Sequence, residues 1–228
     1  MIDMQKSHNG RKNLMECRAK ATLETIYPNE FSGLNKCEKP DWVAPNDHLG
    51  VEVVQATNEK FRHGKALFTN ILSGEKITDA NKKYVNEIKR LGQHIQTLKK
   101  EDGYYVFAHS ATVSFDKSLL LKVIGEKIER INKSSDPYKT LAYLGLYVIS
   151  PEASLPEDFE EVKGIGDGAY ELQYGKERQF AELFLEDGRV IYRYDLRTKI
   201  LKKHSISISL QKRIWDKASL EAKALSQE

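Results

Sequence analysis

Helical and strand patterns alternate along most of the chain, and this alternation limits the fold more than any other feature. The predicted helices are Arg11–Ile26, Asn58–Leu72, Asp79–Lys100, Asp116–Asn132 and Leu210–Leu225. The predicted strands are Asp41–Ala44, Gly50–Ala56, Tyr104–His109, Leu141–Ser150, Ala181–Leu185 and Val190–Asp195. Strands separated by helices form a mixed or parallel sheet that the helices cover. We therefore expect an α/β fold with a mixed central β-sheet flanked by helices.

Two turn signals join neighbouring strands directly and predict antiparallel pairs. The stretch 45–48, Pro-Asn-Asp-His, separates the strands 41–44 and 50–56 and consists of residues that favour tight turns. The stretch 186–189, Glu-Asp-Gly-Arg, follows the strand 181–185 and contains the Asp-Gly pair typical of hairpins.

The segment Pro151–Lys176 has no clear helical or strand pattern. Its proline, glutamate and glycine content predicts a surface loop around a short helix. Gly164, Gly166 and Gly168 alternate, but no clear strand precedes them, so they match a phosphate-binding loop poorly. We interpret them as turn residues.

The length of the chain favours one domain rather than two. Its 228 residues fall below the roughly 250 at which single hydrophobic cores stop growing. We expect a single domain over 1–228, with insertions, a core over about 13–150 and a C-terminal hairpin and helix over 180–225.

The charge balance permits a basic face without requiring one. Lysine and arginine number 36 against 33 aspartates and glutamates, a net charge of +3, which is low for a strongly basic nucleic-acid-binding protein. The basic residues of the second and third long helices are interpreted as solvated faces, with phosphate contacts as the alternative. They are Lys82, Lys83, Lys89, Arg90, Lys99, Lys100, Lys122, Lys127, Arg130 and Lys133.

The termini and cysteines predict a cytoplasmic protein without a membrane partner. No apolar run approaches the roughly 18 residues of a membrane span, and Met1–Lys12 lacks the apolar core of a signal peptide. Cys17 and Cys37 do not form a Cys-x-x-Cys pair, which excludes a zinc site of that type. Two free thiols are typical of a reducing compartment.

Two acids in the predicted hairpin are candidates for a functional site. Glu52 interrupts the valines of the strand 50–56, where an ionised carboxylate costs several kcal/mol unless a cation or hydrogen-bond donors compensate it. Asp41 begins the preceding strand, directly after Pro40. In a hairpin the two side chains can lie together on one face, although each acid taken singly has a structural interpretation as a turn residue or a partner of a surface lysine.

Such a pair is suited to a divalent metal ion. Two carboxylates held together in a half-buried position repel each other, and a divalent cation removes that repulsion. Mg²⁺ prefers oxygen ligands and is usually held by one or two carboxylates together with waters and substrate phosphate. Bound there, Mg²⁺ or Mn²⁺ would activate water for attack on a phosphodiester.

The hairpin resembles the core motif of the PD-(D/E)XK, or restriction-endonuclease-like, superfamily. The resemblance lies in Glu38-x-Pro40-Asp41-Trp42 and Gly50-Val51-Glu52-Val53, followed by the helix over 119–132, Tyr138 and the strand over 144–149. It implies that Asp41, Glu52 and the backbone carbonyl of Val53 bind the metal ion. It also implies a single nuclease-like domain that hydrolyses phosphodiester bonds in nucleic acid, with DNA favoured over RNA as the partner.

The sequence departs from the family motif at the lysine, whose position is occupied by Val54. Valine can neither orient a water molecule nor stabilise a developing negative charge. Gln55 is adjacent, but strand alternation turns it to the opposite face unless a bulge intervenes. Lys60 and Lys65 on the following helix are candidates for a relocated lysine, and Lys65 is preferred, together with Gln55, as a catalytic residue.

Further alternatives concern the completion of the site and its function. Members of the family often add a glutamate from the N-terminal helix, and Glu16 and Glu24 are available there, while Glu38 lies beside the motif. The missing motif lysine supports a rival interpretation, a catalytically inactive nucleic-acid-binding or protein-interaction module on the same fold. A homodimer would suit cleavage of both strands of a duplex.

Overall fold

The chain divides into two compact units. The computed structural model describes residues 4–71, 74–110, 115–133, 138, 141–150 and 154–227, and it describes their side chains except at 4–12, 59, 107, 109 and 110. Unit 1 consists of Met1–Ala56 and Phe115–Glu228, and unit 2 of Thr57–Ser114. In sequence, unit 2 is therefore inserted within unit 1.

The secondary structure follows in chain order. The elements are α1 (Met4–Ile26), α2 (Pro28–Phe31), β1 (Asn35–Lys36), β2 (Trp42–Val43), β3 (Leu49–Gln55), α3 (Glu59–Thr69), α4 (Asp79–Arg90), β4 (His94–Lys100), β5 (Gly103–Ser110), α5 (Lys117–Lys133), β6 (Tyr143–Ile149), α6 (Phe159–Gln173), β7 (Glu182–Glu186), β8 (Val190–Asp195), β9 (Leu201–Ser205) and α7 (Ile208–Leu225). None of the described helices is both long and apolar enough to cross a membrane.

The described strands of unit 1 form a seven-stranded mixed sheet in the order β1-β2-β3-β6-β7-β8-β9. The strand β6 is parallel to β3 on one side and to β7 on the other, and the remaining pairs are antiparallel. The two predicted hairpins, β2–β3 and β7–β8, are both present. These strands and their covering helices confirm the predicted α/β class with a mixed central sheet.

Helices cover both faces of this sheet, and strand alternation assigns each side chain to a face. On β6, Leu146 and Val148 pack into the core that contains α5 and α6, whereas Tyr147 and Ile149 pack into the core that contains α1 and α7. Burial on both faces explains why the central strands are almost continuously apolar. A charged residue within them, such as Glu52, therefore stands out.

The predicted helix Asp79–Lys100 is wrong in its second half. Helix α4 ends at Arg90, and Gly92 follows with a φ of +76°, a conformation that glycine adopts without strain. The chain then forms β4, which pairs with β5 in an antiparallel ribbon. Leu98, whose spacing from Ile88, Leu91 and Ile95 fits the buried stripe of a helix, is instead 54% exposed. The spacing of Ile95 and Leu98 fitted a continuing helix, but pairing with β5 determines the structure.

For Pro151–Lys176 the structure differs from the predicted surface loop around a short helix, and residues 151–153 lie outside the described residues. Residues 159–173 form the 15-residue helix α6, which Asp158 caps by accepting hydrogen bonds from the backbone N–H groups of Glu160 and Glu161. Gly166 lies within this helix rather than in a turn, as do the glycines at 164 and 168. A Cβ atom at Gly166 would lie 2.4 Å from the ring of Tyr194, so glycine permits close packing of the helix on the sheet.

Unit 2 has a small core of its own. The described elements are α3, α4 and the ribbon β4–β5, and the buried residues Ile71, Val85, Ile88 and Val106 form its apolar centre. The strands of this ribbon do not belong to the seven-stranded sheet. The elements α2, β1 and β9 were not predicted; two of them are only two to four residues long, which leaves little periodic pattern to detect.

Candidate active site

The β2–β3 hairpin brings Asp41 and Glu52 to the same end of the sheet. Trp42 pairs with Val51 and Val43 with Gly50, so the register continued by one residue sets Asp41 across from Glu52. Both residues are buried, with exposed fractions of 6% and 3%. The predicted convergence of the two acids is thus reproduced by the pairing of the strands that carry them.

Asp41 is held by the backbone of the strand it faces. Its Oδ2 accepts a hydrogen bond of 2.7 Å from the N–H of Val53. Its Oδ1 lies 3.9 Å from the ammonium group of Lys36, whose Nζ also contacts Oε2 of Glu16 at 2.7 Å. The next residue, Trp42, donates its indole N–H to the carbonyl of Glu16 at 2.9 Å, which ties the hairpin to α1.

Glu52 is held by two side chains from outside the hairpin. Lys127 of α5 forms an ion pair with Oε2, and the hydroxyl of Tyr138 donates a hydrogen bond to Oε1. Burial and the contact with Glu52 raise the pKa of the Tyr138 hydroxyl, which therefore remains protonated as a donor. The buried carboxylate thus has both a counter-charge and a neutral donor.

Lys127 is the lysine that the sequence analysis missed as a site residue. It was grouped with the solvated lysines of its helix, yet its side chain is only 12% exposed. The signal was present in the helical spacing. Lys127 lies three residues after Ile124 and four before Ile131, within the buried stripe of α5. A lysine in an apolar stripe can place its stem in the core and carry its charge to a nearby acid.

The other candidates for the lysine function have different positions. Val54 packs against the apolar core on the face of β3 that α5 covers, and it has no polar atom to offer. Gln55 lines the same cavity as the two acids. Lys65, the preferred relocated lysine, lies exposed on α3 in unit 2, as does Lys60, and the lysine that contacts Glu52 is Lys127.

The structure separates the three glutamates that were candidates for completing the site. Glu16 is buried and shares Lys36 with Asp41. Glu24 is directed elsewhere, because it pairs with Lys217 of α7 at 2.5 Å and accepts a hydrogen bond from the loop after α2. Glu38 is exposed at the rim of the cavity. Glu16 is therefore the third acid whose charge acts on the pair.

These side chains surround a cavity of about 220 Å³ that lies entirely within unit 1. Its polar lining is dominated by charged residues of both signs, with Lys127 deep in the wall and Arg130 exposed one turn further along α5. The lining residues are Met15, Glu16, Glu38, Lys39, Asp41, Glu52, Val53, Val54, Gln55, Lys127 and Arg130. A site of this size accommodates a phosphate group and a few water molecules.

Burial raises the pKa of the Asp41 carboxyl above its ordinary value, and the nearby carboxylate of Glu16 raises it further. Lys127, the N–H of Val53 and Lys36 act in the opposite direction but do not cancel the effect. The negative charge at Asp41 is thus only partly compensated by the protein. A cation close to Asp41 would favour its ionised form.

The oxygen atoms at this sheet end suit a hard divalent cation. Among the described residues, no three histidine, cysteine, aspartate or glutamate side chains are grouped as a ready-made metal site. Mg²⁺ needs no such group, since one or two carboxylates, waters and substrate oxygens usually complete its shell. Glu52 retains capacity as well, because an ionised carboxylate has about four acceptor positions and two are used by Lys127 and Tyr138.

The carbonyl oxygen of Val53 lies on the same edge of β3 as Asp41. In an extended strand the N–H and C=O of one residue point to the same edge. The N–H of Val53 points to Asp41, so its carbonyl points to that edge too, beyond the end of β2. Two carboxylates and one carbonyl therefore provide a donor set of the kind that Mg²⁺ or Mn²⁺ accepts.

Comparisons of the chain with protein-family models, with curated proteins and with solved structures found no match. The interpretation of the site consequently rests on its own geometry and chemistry.

Proposed function

We propose that this protein is a restriction-endonuclease-like nuclease that hydrolyses phosphodiester bonds in DNA with the aid of Mg²⁺ or Mn²⁺. The observation that carries the proposal is the ion pair between Lys127 and Glu52, beside Asp41 and in the same cavity. An acid pair without a lysine would fit many structural roles. An acid pair with a buried lysine restored from another element matches the chemical requirements of a metal-assisted phosphodiesterase.

The proposed roles follow from the positions of the groups. Asp41, Glu52 and the carbonyl of Val53 hold the metal ion, which when bound acidifies a coordinated water and offsets charge on the phosphate. Lys127 orients the attacking water and stabilises the negative charge that develops on the phosphate oxygens. Gln55 supplies an amide that can hydrogen-bond to the water or phosphate at the cavity wall.

The surrounding residues keep these groups in place. Lys36 reduces the repulsion between Glu16 and Asp41, and the hydroxyl of Tyr138 fixes one oxygen of Glu52 while Lys127 contacts the other. Such fixed donors and charges lower the reorganisation that the reaction would otherwise require. For cleavage of both strands of a duplex we propose a homodimer, which presents two copies of the site.

A second candidate function is a nucleic-acid-binding module without catalysis. The observation that favours it is that Lys36 and Lys127 already neutralise much of the charge of the three acids. With Lys127 bound to Glu52, the cluster has only one uncompensated negative charge and is more stable without a metal ion than three bare carboxylates would be.

Metal titration and plasmid cleavage distinguish the two functions. Calorimetry with Mn²⁺ should show binding to the wild type and at least about tenfold weaker binding to Glu52→Gln. Nicking of supercoiled plasmid in Mg²⁺ should fall about 10²–10³-fold in Lys127→Met, as for the loss of one charge-stabilising group. Lys122→Met is the matched control, since Lys122 lies on the same helix but is exposed.

Each pattern of results has a definite meaning. Cleavage that requires Glu52 and Lys127 but not Lys122 supports the nuclease. Metal binding without cleavage by the wild type favours the binding module. If neither metal binding nor cleavage occurs, or if Glu52→Gln behaves like the wild type in both assays, the proposed metal site is refuted.

A further inference from the structure

The positive charge of the protein is concentrated in unit 2. The segment Thr57–Ser114 contains ten lysines and arginines against six aspartates and glutamates, a net charge of +4 with histidines neutral. The whole chain has a net charge of +3, so the remaining 170 residues have a net charge of −1. The modest overall value therefore conceals a basic unit inserted into a nearly neutral one, as sequence-independent binding of a polyanion would require.

The basic residues of unit 2 include a row along one face of α4. Lys82 and Lys89 are seven residues apart, which is two helical turns, and Asn86 lies between them on the same face. These three residues line a groove of about 520 Å³ together with Thr97 and Tyr104 of the ribbon and with Lys76, Asp79 and Asp102. Lys76 and Asp102 pair with each other, so Lys82 and Lys89 exceed the one remaining acid, Asp79, and give the groove a net positive charge that suits phosphate groups.

The two lysines of this row have no described carboxylate as an ion-pair partner. In contrast, Lys76 pairs with Asp102 at 3.1 Å, and Arg90 pairs with Glu87 at 2.8 Å, so those charges are compensated within unit 2. Lys82 and Lys89 are both exposed. Their charges are therefore available to an external anion without the loss of an existing ion pair.

The ribbon β4–β5 favours duplex DNA over other polyanions. On β4, His94 and residues 96–100 are exposed, while Ile95 packs towards the core of unit 2. A two-stranded ribbon fits the major groove of B-form DNA, whereas the major groove of A-form RNA is too deep and narrow for side chains to read. Exposed donors beside a row of lysines match this partner.

We propose that unit 2 is the DNA-binding part of the protein and that Lys82 and Lys89 contact the phosphate backbone of duplex DNA. This inference rests on the proposed nuclease function, to which it adds the surface that binds the substrate. DNA binding can nevertheless be tested without cleavage, because counterion release gives phosphate contacts a characteristic dependence on salt.

The test measures binding of the full-length protein to a fluorescein-labelled DNA duplex by anisotropy in EDTA, with salt varied between about 50 and 200 mM. Lys82→Ala/Lys89→Ala should raise Kd at least about tenfold and lower the slope of log Kd against log salt by about two. The matched control, Lys202→Ala/Lys223→Ala, removes two exposed lysines from unit 1 and should change Kd less than about twofold.

Additional variants separate this inference from the nuclease proposal. Loss of cleavage in Glu52→Gln tests the nuclease proposal, whereas loss of affinity in EDTA in Lys82→Ala/Lys89→Ala tests this inference. Lys82→Gln/Lys89→Gln keeps polar side chains on α4 and tests the charge alone if the alanine variant unfolds. A duplex that is cleaved in Mg²⁺ but bound equally by the wild type and the Lys82/Lys89 variants would overturn this inference and leave the nuclease intact.

Two other outcomes would also overturn it. An equal loss of affinity in the unit 1 control would show that overall charge, rather than unit 2, governs binding. Tighter binding to phosphatidylserine vesicles or to a poly-glutamate peptide than to the duplex, at the same salt, would assign the basic unit to a different partner.

Discussion

Replacing Lys127 by methionine should destabilise unit 1 as well as lower the rate of cleavage about 10²–10³-fold. Methionine keeps the apolar stem in the stripe of α5 but removes the ammonium group, so Glu52 retains only the hydrogen bond from Tyr138. The side chains of Lys127 and Glu52 are 12% and 4% exposed, which makes this a buried pair. Breaking a buried pair on one side typically costs 3–5 kcal/mol, and access of water through the cavity reduces this to about 2–3 kcal/mol here.

A double-mutant cycle isolates the ion pair from the rest of the site. Glu52→Gln removes the opposite charge and keeps an acceptor for Tyr138. The double variant should therefore be more stable than Lys127→Met alone, with a coupling free energy of about 1–3 kcal/mol. Exposed Lys122 and Glu126 form the control pair, for which the same cycle should give no more than about 0.5 kcal/mol.

Urea unfolding in EDTA at about pH 7.5 provides the measurement. Both tryptophans, Trp42 and Trp215, belong to unit 1, so their fluorescence reports its unfolding separately from unit 2. If the single-variant effects add to within about 0.5 kcal/mol, Lys127 and Glu52 do not interact and the reasoning fails. Cleavage should not recover in the double variant even though stability returns, which separates catalysis from folding.

Three further predictions concern the metal site and the core. Mn²⁺ should raise the Tm more at about pH 7.5 than at about pH 5, because burial raises the pKa of Asp41 and protons then compete with the cation at the lower pH. Without metal, the raised pKa of Asp41 contributes stability that is present at low pH and is lost as the pH rises through the folded-state pKa. Equal shifts, or shifts that persist in Asp41→Asn, would contradict this. Gly166→Ala should lower the free energy of unfolding by about 1–3 kcal/mol, because the added methyl group clashes with Tyr194. Gly125→Ala, whose added Cβ would have its nearest contact at 3.7 Å, should be neutral or stabilising, and urea unfolding midpoints measure both effects. Arg193→Met should cost about 3 kcal/mol by leaving two carboxylates without their shared cation, and a loss below about 1 kcal/mol would refute that assignment.

The sequence predicted best what short-range chemistry determines. The turn before β3, the valines of that strand and the Asp-Gly turn between β7 and β8 all act within a few residues, and both hairpins are present. The two acids could be proposed from the same local information. Each is unusual where it stands, because Glu52 lies in a buried apolar strand and Asp41 follows a proline at a strand entrance.

What depends on distant packing was predicted poorly. The helical position of Gly166 could not be predicted from its neighbours in sequence, because glycine is needed there only where α6 packs against the ring of Tyr194. The spacing of Ile95 and Leu98 fits a helix, and only pairing with β5 makes it a strand. The charge of unit 2 was hidden in the total for the chain, because a boundary at Thr57 and Ser114 follows from compactness rather than from composition.

Under the proposed function, the position of Lys127 also accounts for Val54 at the position where the family motif has a lysine. Glu52 and Val54 are two residues apart on β3 and share the face that α5 covers, so a side chain reaching Glu52 can come from the strand or from the helix above it. The lysine that pairs with Glu52 should therefore function from either position, 127 on α5 or 54 on β3. Val54→Lys combined with Lys127→Met should regain at least about tenfold of the cleavage lost in Lys127→Met, because Val54 is only partly buried and a lysine there reaches the same carboxylate. Val51→Lys, which directs the lysine to the opposite face of β3, is the control that should regain nothing. Equal failure of both variants in a folded protein would mean that Lys127 acts through its place on α5 and is not interchangeable with the lysine of the motif.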